Sequence, residues 1–120
     1  MELAREEFEQ LVADALDGIP AELGEMMDNV AVVVEDQPTE EQLAGVRGTL
    51  LGRYEGIALT RRSPLAYAGV MPDRIFIFRQ PICRLAKTEH DLVELVRTTV
   101  IHEVAHHFGI SDVRLRELGW

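Results

Sequence analysis

Over the first sixteen residues the apolar positions recur at helical spacing. Leu3, Phe8, Leu11, Val12, Ala15 and Leu16 form one stripe among charged residues, and Gly18 with Pro20 stops the pattern. This predicts an amphipathic first helix. Residues 29–35 (NVAVVVE) are a continuous β-branched run, as expected of a strand covered on both faces. A turn-rich stretch follows in which Thr39 can begin a short helix. Residues 48–73 mix glycines with brief apolar pieces, which predicts short strands and exposed loops. Residues 74–79 (RIFIFR) alternate and read as a second strand, ended by Pro81. The last long element is a helix capped by Thr88, with Asp91 three residues on. Its apolar positions run from Leu92 through Val93, Leu95, Val96, Val100, Ile101, Val104 and Ala105 to Phe108, and it stops at Gly109.

These elements predict an α/β (α+β) class: a small mixed sheet packed against an N-terminal and a C-terminal helix. With 120 residues and 47% apolar content, residues 1–120 are expected to form one compact domain. No internal repeat interrupts that reading. Cys83 has no second cysteine to pair with and is expected to be a buried structural thiol. The charged N-terminus does not read as a signal peptide and no run reaches membrane-spanning length, so a soluble, cytoplasmic protein without membrane contact is expected.

Charge is uneven and narrows the partners. Residues 1–45 hold 13 Asp and Glu against Arg5 alone, a balance of −12. Residues 46–120 hold 8 against 11 Lys and Arg, a balance of +3, and together these give the net −9. An acidic chain repels phosphate backbones, so no nucleic-acid partner is expected. The acidic half reads first as a solvated helix face. Attraction between the two halves also predicts that the first helix lays its acidic face near arginine-bearing loops.

Residues 102–112 (HEVAHHFGISD) carry the chemistry. At 100° per residue His102 and His106 project from nearly the same helix face one turn apart, so both imidazoles can reach one ion at about 2 Å. Glu103 lies about 100° from His102, too far round to ligate closely but well placed for a water held by the metal. This is the HExxH arrangement of zinc peptidases. His107 leaves the axis about 140° from His102 and cannot share an ion with it on a regular helix. Asp112 can: Gly109 lets the chain reverse, Ile110 tucks into the core, and Ser111 begins a new turn that returns a carboxylate towards the imidazoles. Histidines merely packed on a core helix are the plainer alternative. A core turn has little use for His, Glu, His and His together.

The segments 50–63 (LLGRYEGIALTRRS), 71–82 (MPDRIFIFRQPI) and 98–115 (TTVIHEVAHHFGISDVRL) resemble the small zincin-like metallopeptidases, a family of minimal bacterial zinc proteases. The resemblance spans roughly residues 45–118. It implies a compact zincin-like fold, a Zn2+ cofactor held by His102, His106 and Asp112, and Glu103 as catalytic base. It departs from the longer metzincins, which usually have His as third ligand and a Met-turn downstream, whereas here all four methionines lie upstream of Asp112.

Two imidazoles and one carboxylate would leave a zinc site positive enough to bring a bound water to a pKa of about 7. The expected activity is hydrolysis of short or unfolded peptides laid along a sheet edge from residues 50–79. His107 is expected to support the site rather than ligate. Tyr54, Arg61 and Arg62 are candidates for substrate contact, with a packed aromatic and a solvated loop as their plainer readings. Two other classes stay open. One is a metal-bound interaction module with little or no turnover. The other is a non-haem iron facial triad, which would give Glu103 no work.

Overall fold

The computed structural model describes residues 1–56 and 72–120. The elements run α1 (Arg5–Asp17), α2 (Ala21–Met26), β1 (Val30–Glu35), α3 (Glu40–Leu43), β2 (Gly52–Glu55), β3 (Asp73–Phe78), α4 (Arg79–Leu85), α5 (Glu89–His107) and α6 (Asp112–Leu118). Arg61, Arg62 and most of the loop-rich segment expected after residue 56 lie outside the described residues.

The stripe read from the N-terminal sequence becomes the buried face of α1. Phe8, Val12 and Ala15 are buried, and Leu11 and Leu16 flank them. This face packs on α5. Phe8 is completely enclosed, so trimming it to Ala would cost about 3–5 kcal/mol. Thr39 caps α3 as the sequence predicts, through a reciprocal capping box with Gln42.

The sheet is mixed, in the order β1-β3-β2. β1 runs parallel to β3, from Val30 opposite Asp73 to Glu35 opposite Phe78. β2 runs antiparallel to β3, from Gly52 opposite Ile77 to Glu55 opposite Arg74. Two expectations are corrected here. β1 is an edge strand, half-buried along most of its length, rather than a strand covered on both faces. Val30, Val32 and Val34 pack against the core, and the one-sided contact is what its edge position provides. The central place belongs to β3, whose Ile75, Phe76, Ile77 and Phe78 are all buried. Ile75 and Ile77 join the helical core, while Phe76 and Phe78 stack on the other face with the Arg74 guanidinium over Phe76.

The second correction concerns Pro81. The strand ends at Phe78, and Pro81 is the third residue of α4, in the first turn where a missing N–H costs no helical bond. Cys83 on the same helix is buried as expected, and burial pushes its thiol pKa up.

α5 is the central beam. Leu92, Val96, Val100, Ile101, Val104 and Ala105 are its buried residues, and it contacts α1, α2, α4, β2 and β3. Thr88 caps it, accepting from the Asp91 amide at 3.1 Å. The arginine loop expected near the acidic face of α1, Arg61 and Arg62, lies outside the described residues; among those described, Arg5 of α1 and Arg79 of α4 converge on Asp36, at 3.7 and 2.9 Å, while Glu6 and Glu7 face solvent. No described helix is long and apolar enough to cross a membrane.

Candidate functional site

The C-terminal half of α5 presents two adjacent rows. Thr99, Glu103 and His107 form one, and they meet alternate residues Gly52 and Tyr54 of β2 and Gly56 just beyond it. A Cβ on Gly52 would lie 2.6 Å from Thr99 Cγ2, Glu103 Oε1 accepts the Tyr54 amide at 3.0 Å, and His107 stacks on the Tyr54 ring beside Gly56. The match has a simple origin: four helical residues rise about 6 Å and two strand residues about 6.7 Å, so the two ladders stay in step over three contacts. The other row, one position back, carries His102 and His106.

The backbone of β2 explains why Glu103 finds a donor. The Phe78 amide donates to the Leu51 carbonyl, so Leu51 and Phe78 are a hydrogen-bonded pair of the antiparallel ladder. Alternation then makes Tyr54 and Ile75 a non-hydrogen-bonded pair, with the Tyr54 N–H directed away from β3. Glu103 takes that N–H. Among the described residues this is the hydrogen bond that its carboxylate makes, and it leaves Oε2 without one.

His102 is half-buried and His106 exposed, with ring centroids 5.9 Å apart and planes tilted by 55°. Beyond them α5 ends as the sequence predicts. Gly109 takes φ +81°, its N–H donates to the His106 carbonyl, and the Ile110 N–H reaches back to the Ala105 carbonyl at 2.8 Å. This is a Schellman closure, with Ile110 and Ala105 packed at the core. Ser111 then caps α6, accepting from the Arg114 amide at 3.2 Å, and Asp112 is the first helical residue. The reversal brings Asp112 Oδ1 to 2.8 Å from His106 Nε2. That hydrogen bond holds the Asp112 carboxyl below its ordinary range.

His107 points elsewhere, towards β2. Its ring stacks on Tyr54 with centroids 3.8 Å apart and planes within 17°, and its Nε2 stands 3.9 Å from Asp73 Oδ2. The Tyr54 hydroxyl donates to that same Asp73 oxygen at 2.8 Å. Asp73 was not singled out from the sequence. Its only signal there was its place within the segment 71–82 that resembles the zincin-like family, because a carboxylate 30 residues before Glu103 offers no spacing to read.

The donor types at His102, His106 and Asp112 suit zinc, while the spacing is that of a hydrogen-bonded pair. Among the described residues no three His, Cys, Asp or Glu side chains converge closely enough to hold an ion as they stand. A tetrahedral ion with two ligands at about 2 Å sets them about 3.3 Å apart, so Asp112 and His106 are about 0.5 Å too close for shared ligation. Both side chains are exposed, at 66% and 48%, so a rotamer change can open the gap without moving the core.

Cavity volume does not mark this region. One cavity, about 670 Å³ beside Leu3, Arg79 and Cys83, touches none of these residues. A second, of about 520 Å³, lies between α3 and β2 and borders Tyr54 and Gly56. The convergence of titratable groups on one helix end is the better guide, since cavities at helix junctions are common and chemistry needs placed groups.

No curated protein matches the chain. Among solved structures it is similar to a conserved hypothetical protein from Thermo thermophilus, with a TM-score of 0.53 and 23% identity over 88% of this chain and 94% of that one. That likeness supports the fold. A family model for zincin-like metallopeptidases matches residues 27–120, a span that takes in β1 to β3 and the whole of α5 and α6. The chain therefore belongs to the zincin-like metallopeptidase family.

Proposed function

We propose that the protein is a zinc-dependent peptidase in which His102, His106 and Asp112 hold the ion and Glu103 is the general base. The observation that carries this reading is the anchored carboxylate. Glu103 Oε1 is fixed by the Tyr54 N–H on a strand edge, one helical position from the imidazole row, so Oε2 is left to accept a proton. A structural glutamate at a helix surface has no need of that arrangement. Zinc bound by two imidazoles and a carboxylate would supply an acidified water and polarise a substrate carbonyl. Glu103 would take the water's proton and return it to the departing amine. Ligation through His106 Nε2 and Asp112 Oδ1 would replace the hydrogen bond that joins those two atoms.

The substrate in this reading is an extended, unfolded or short peptide. The cavity beside Gln42, Arg53 and Glu55 offers room for one of its side chains. A second reading is favoured by one feature. His106 and Asp112 already satisfy one another, as would suit an interaction module with little turnover.

One experiment separates the two. Purified protein is analysed for bound metal and assayed on a quenched fluorescent peptide. The peptidase reading expects zinc near one per chain, cleavage by wild type, and loss of cleavage in Glu103→Gln with zinc retained. Stoichiometric zinc without cleavage of any peptide in a random library would favour the module.

A further inference from the structure

Several constraints meet on Tyr54, and one of them ends on the proposed base. The hydroxyl donates to Asp73 Oδ2 at 2.8 Å, the ring lies flat on His107, and the backbone N–H donates to Glu103 Oε1 at 3.0 Å. From this geometry we infer that Asp73 is a positioning residue that aims Glu103 by fixing Tyr54, an inference that rests on the peptidase reading.

Asp73 is a firm anchor. It opens β3, the central strand, its own N–H donates to the Asn29 carbonyl at 3.1 Å, and its side chain is only 18% exposed. β2 is shorter, four residues that among the described residues pair with β3 alone. A short edge strand frays, and its backbone holds register only as far as its side chains are pinned. Pinning the far end of the Tyr54 ring to β3 converts that strand into a fixed support for the Glu103 carboxylate. Gly56 makes the approach possible, since a Cβ there would sit 3.3 Å from His107 Cε1 and 3.8 Å from Asp73 Oδ1. The Asp73–His107 separation of 3.9 Å is too long for a hydrogen bond, so Asp73 acts on His107 chiefly through the Tyr54 ring between them.

Loss of the Asp73 bond would loosen Tyr54 and, with it, the hold of its N–H on Glu103. The carboxylate would keep its charge but lose its aim, which lowers kcat rather than substrate affinity. The same loss is expected whichever end of the Tyr54–Asp73 bond is removed.

The test has two arms on the full chain. With zinc loaded and a quenched fluorescent decapeptide as probe, Asp73→Ala and Tyr54→Phe should each lower kcat about 10- to 100-fold at little-changed KM. The double variant should fall no further than the weaker single, because both remove one bond. Asp73→Asn, whose side-chain oxygen can still accept the hydroxyl, should recover most of the loss. In metal-free protein, amide exchange followed by NMR should show the Tyr54 N–H exchanging at least about 10-fold faster in Asp73→Ala, with the Ile75 and Ile77 amides unchanged. Overturning results are an unchanged Tyr54 amide, additive losses in the double variant, or a uniform loss of protection along β3, which would make Asp73 structural only. If zinc-loaded wild type cleaves nothing while the Tyr54 amide behaves as expected, the peptidase reading fails and the aiming of Glu103 stands.

Discussion

Replacing Gly52 by Ala should loosen β2 from α5, and the size of the effect follows from two opposing contributions. A Cβ at this position would lie 2.6 Å from Thr99 Cγ2, 2.8 Å from the Phe76 carbonyl oxygen and 3.4 Å from Ile77 Cδ1. Carbon–oxygen contacts settle near about 3.3 Å or more, so the strand must retreat by about 0.5 Å from its own ladder partner. The carbonyl belongs to the central strand and cannot yield as a side-chain tip can. Overpacking of this kind costs about 1–3 kcal/mol. Against it, Ala restricts the unfolded chain and returns about 0.4–1 kcal/mol. The steric contribution wins, leaving a net loss of about 1–2 kcal/mol and a Tm lower by roughly 3–8 °C for a domain of this size. Urea unfolding with an unchanged m-value would measure it. Thr99→Ser removes Cγ2 but keeps the hydroxyl that donates to the Leu95 carbonyl at 2.7 Å, so it should restore part of the loss and show coupling with Gly52→Ala. A Gly52→Ala protein as stable as wild type would refute the close approach of strand and helix.

Three further outcomes are expected. Asp112→Ala should lower zinc affinity steeply in a chelator titration while His107→Ala leaves zinc bound, because His107 is turned towards Tyr54 and Asp112 towards His106; the reverse order would sink the ligand assignment. Gly109→Ala should cost about 1 kcal/mol by thermal unfolding, since a Cβ at φ +81° strains the Schellman closure, and should also weaken zinc binding by misplacing Asp112. The bond from Arg79 holds the Asp36 carboxyl below its ordinary value of 3.8. The stability it adds is therefore present above that value and lost as pH falls through the lower, folded one, so the gap between wild type and Asp36→Asn should close in acid; a gap that widened there would contradict the sign.

Local chemistry was legible in the sequence wherever the signal lay along one element. The stripe from Phe8 to Ala15, the Thr39 and Thr88 caps and the Gly109 stop each depend on neighbours a few residues away, and each is found where the pattern puts it. The two strands were legible as strands but not as to rank. Val30–Val34 and Ile75–Phe78 are equally apolar, and only tertiary pairing makes the second central and the first an edge. α4 was hidden because Pro81 reads as a stop, although in a first turn it is harmless. The contact of His106 with Asp112 was foreseeable from the glycine and the spacing after it. The partners of Glu103 and His107 were not, since Tyr54 lies 49 residues from Glu103 and no local period links them.

The HExxH spacing gains a second meaning from this packing. Ligands four apart define one row of a helix, and a base one residue after the first ligand falls on the neighbouring row, about 100° round. In this fold the second row is the one in step with β2: Thr99 against Gly52, Glu103 against Tyr54, His107 against Tyr54 and Gly56. The first row leads to His106, whose exposed ring is left to solvent and to Asp112. A single helix thus separates two duties. In the proposed reading, Glu103 as base is supported by the sheet, and Asp112 would complete the ligand set through the chain reversal at Gly109. Substitutions in β2 or at Asp73 should therefore disturb proton transfer while sparing metal affinity, and substitutions between Gly109 and Asp112 should do the opposite. That division follows from two rises that nearly agree, about 6 Å for four helical residues and about 6.7 Å for two strand residues, and it would disappear if the helix crossed the strand at a steep angle.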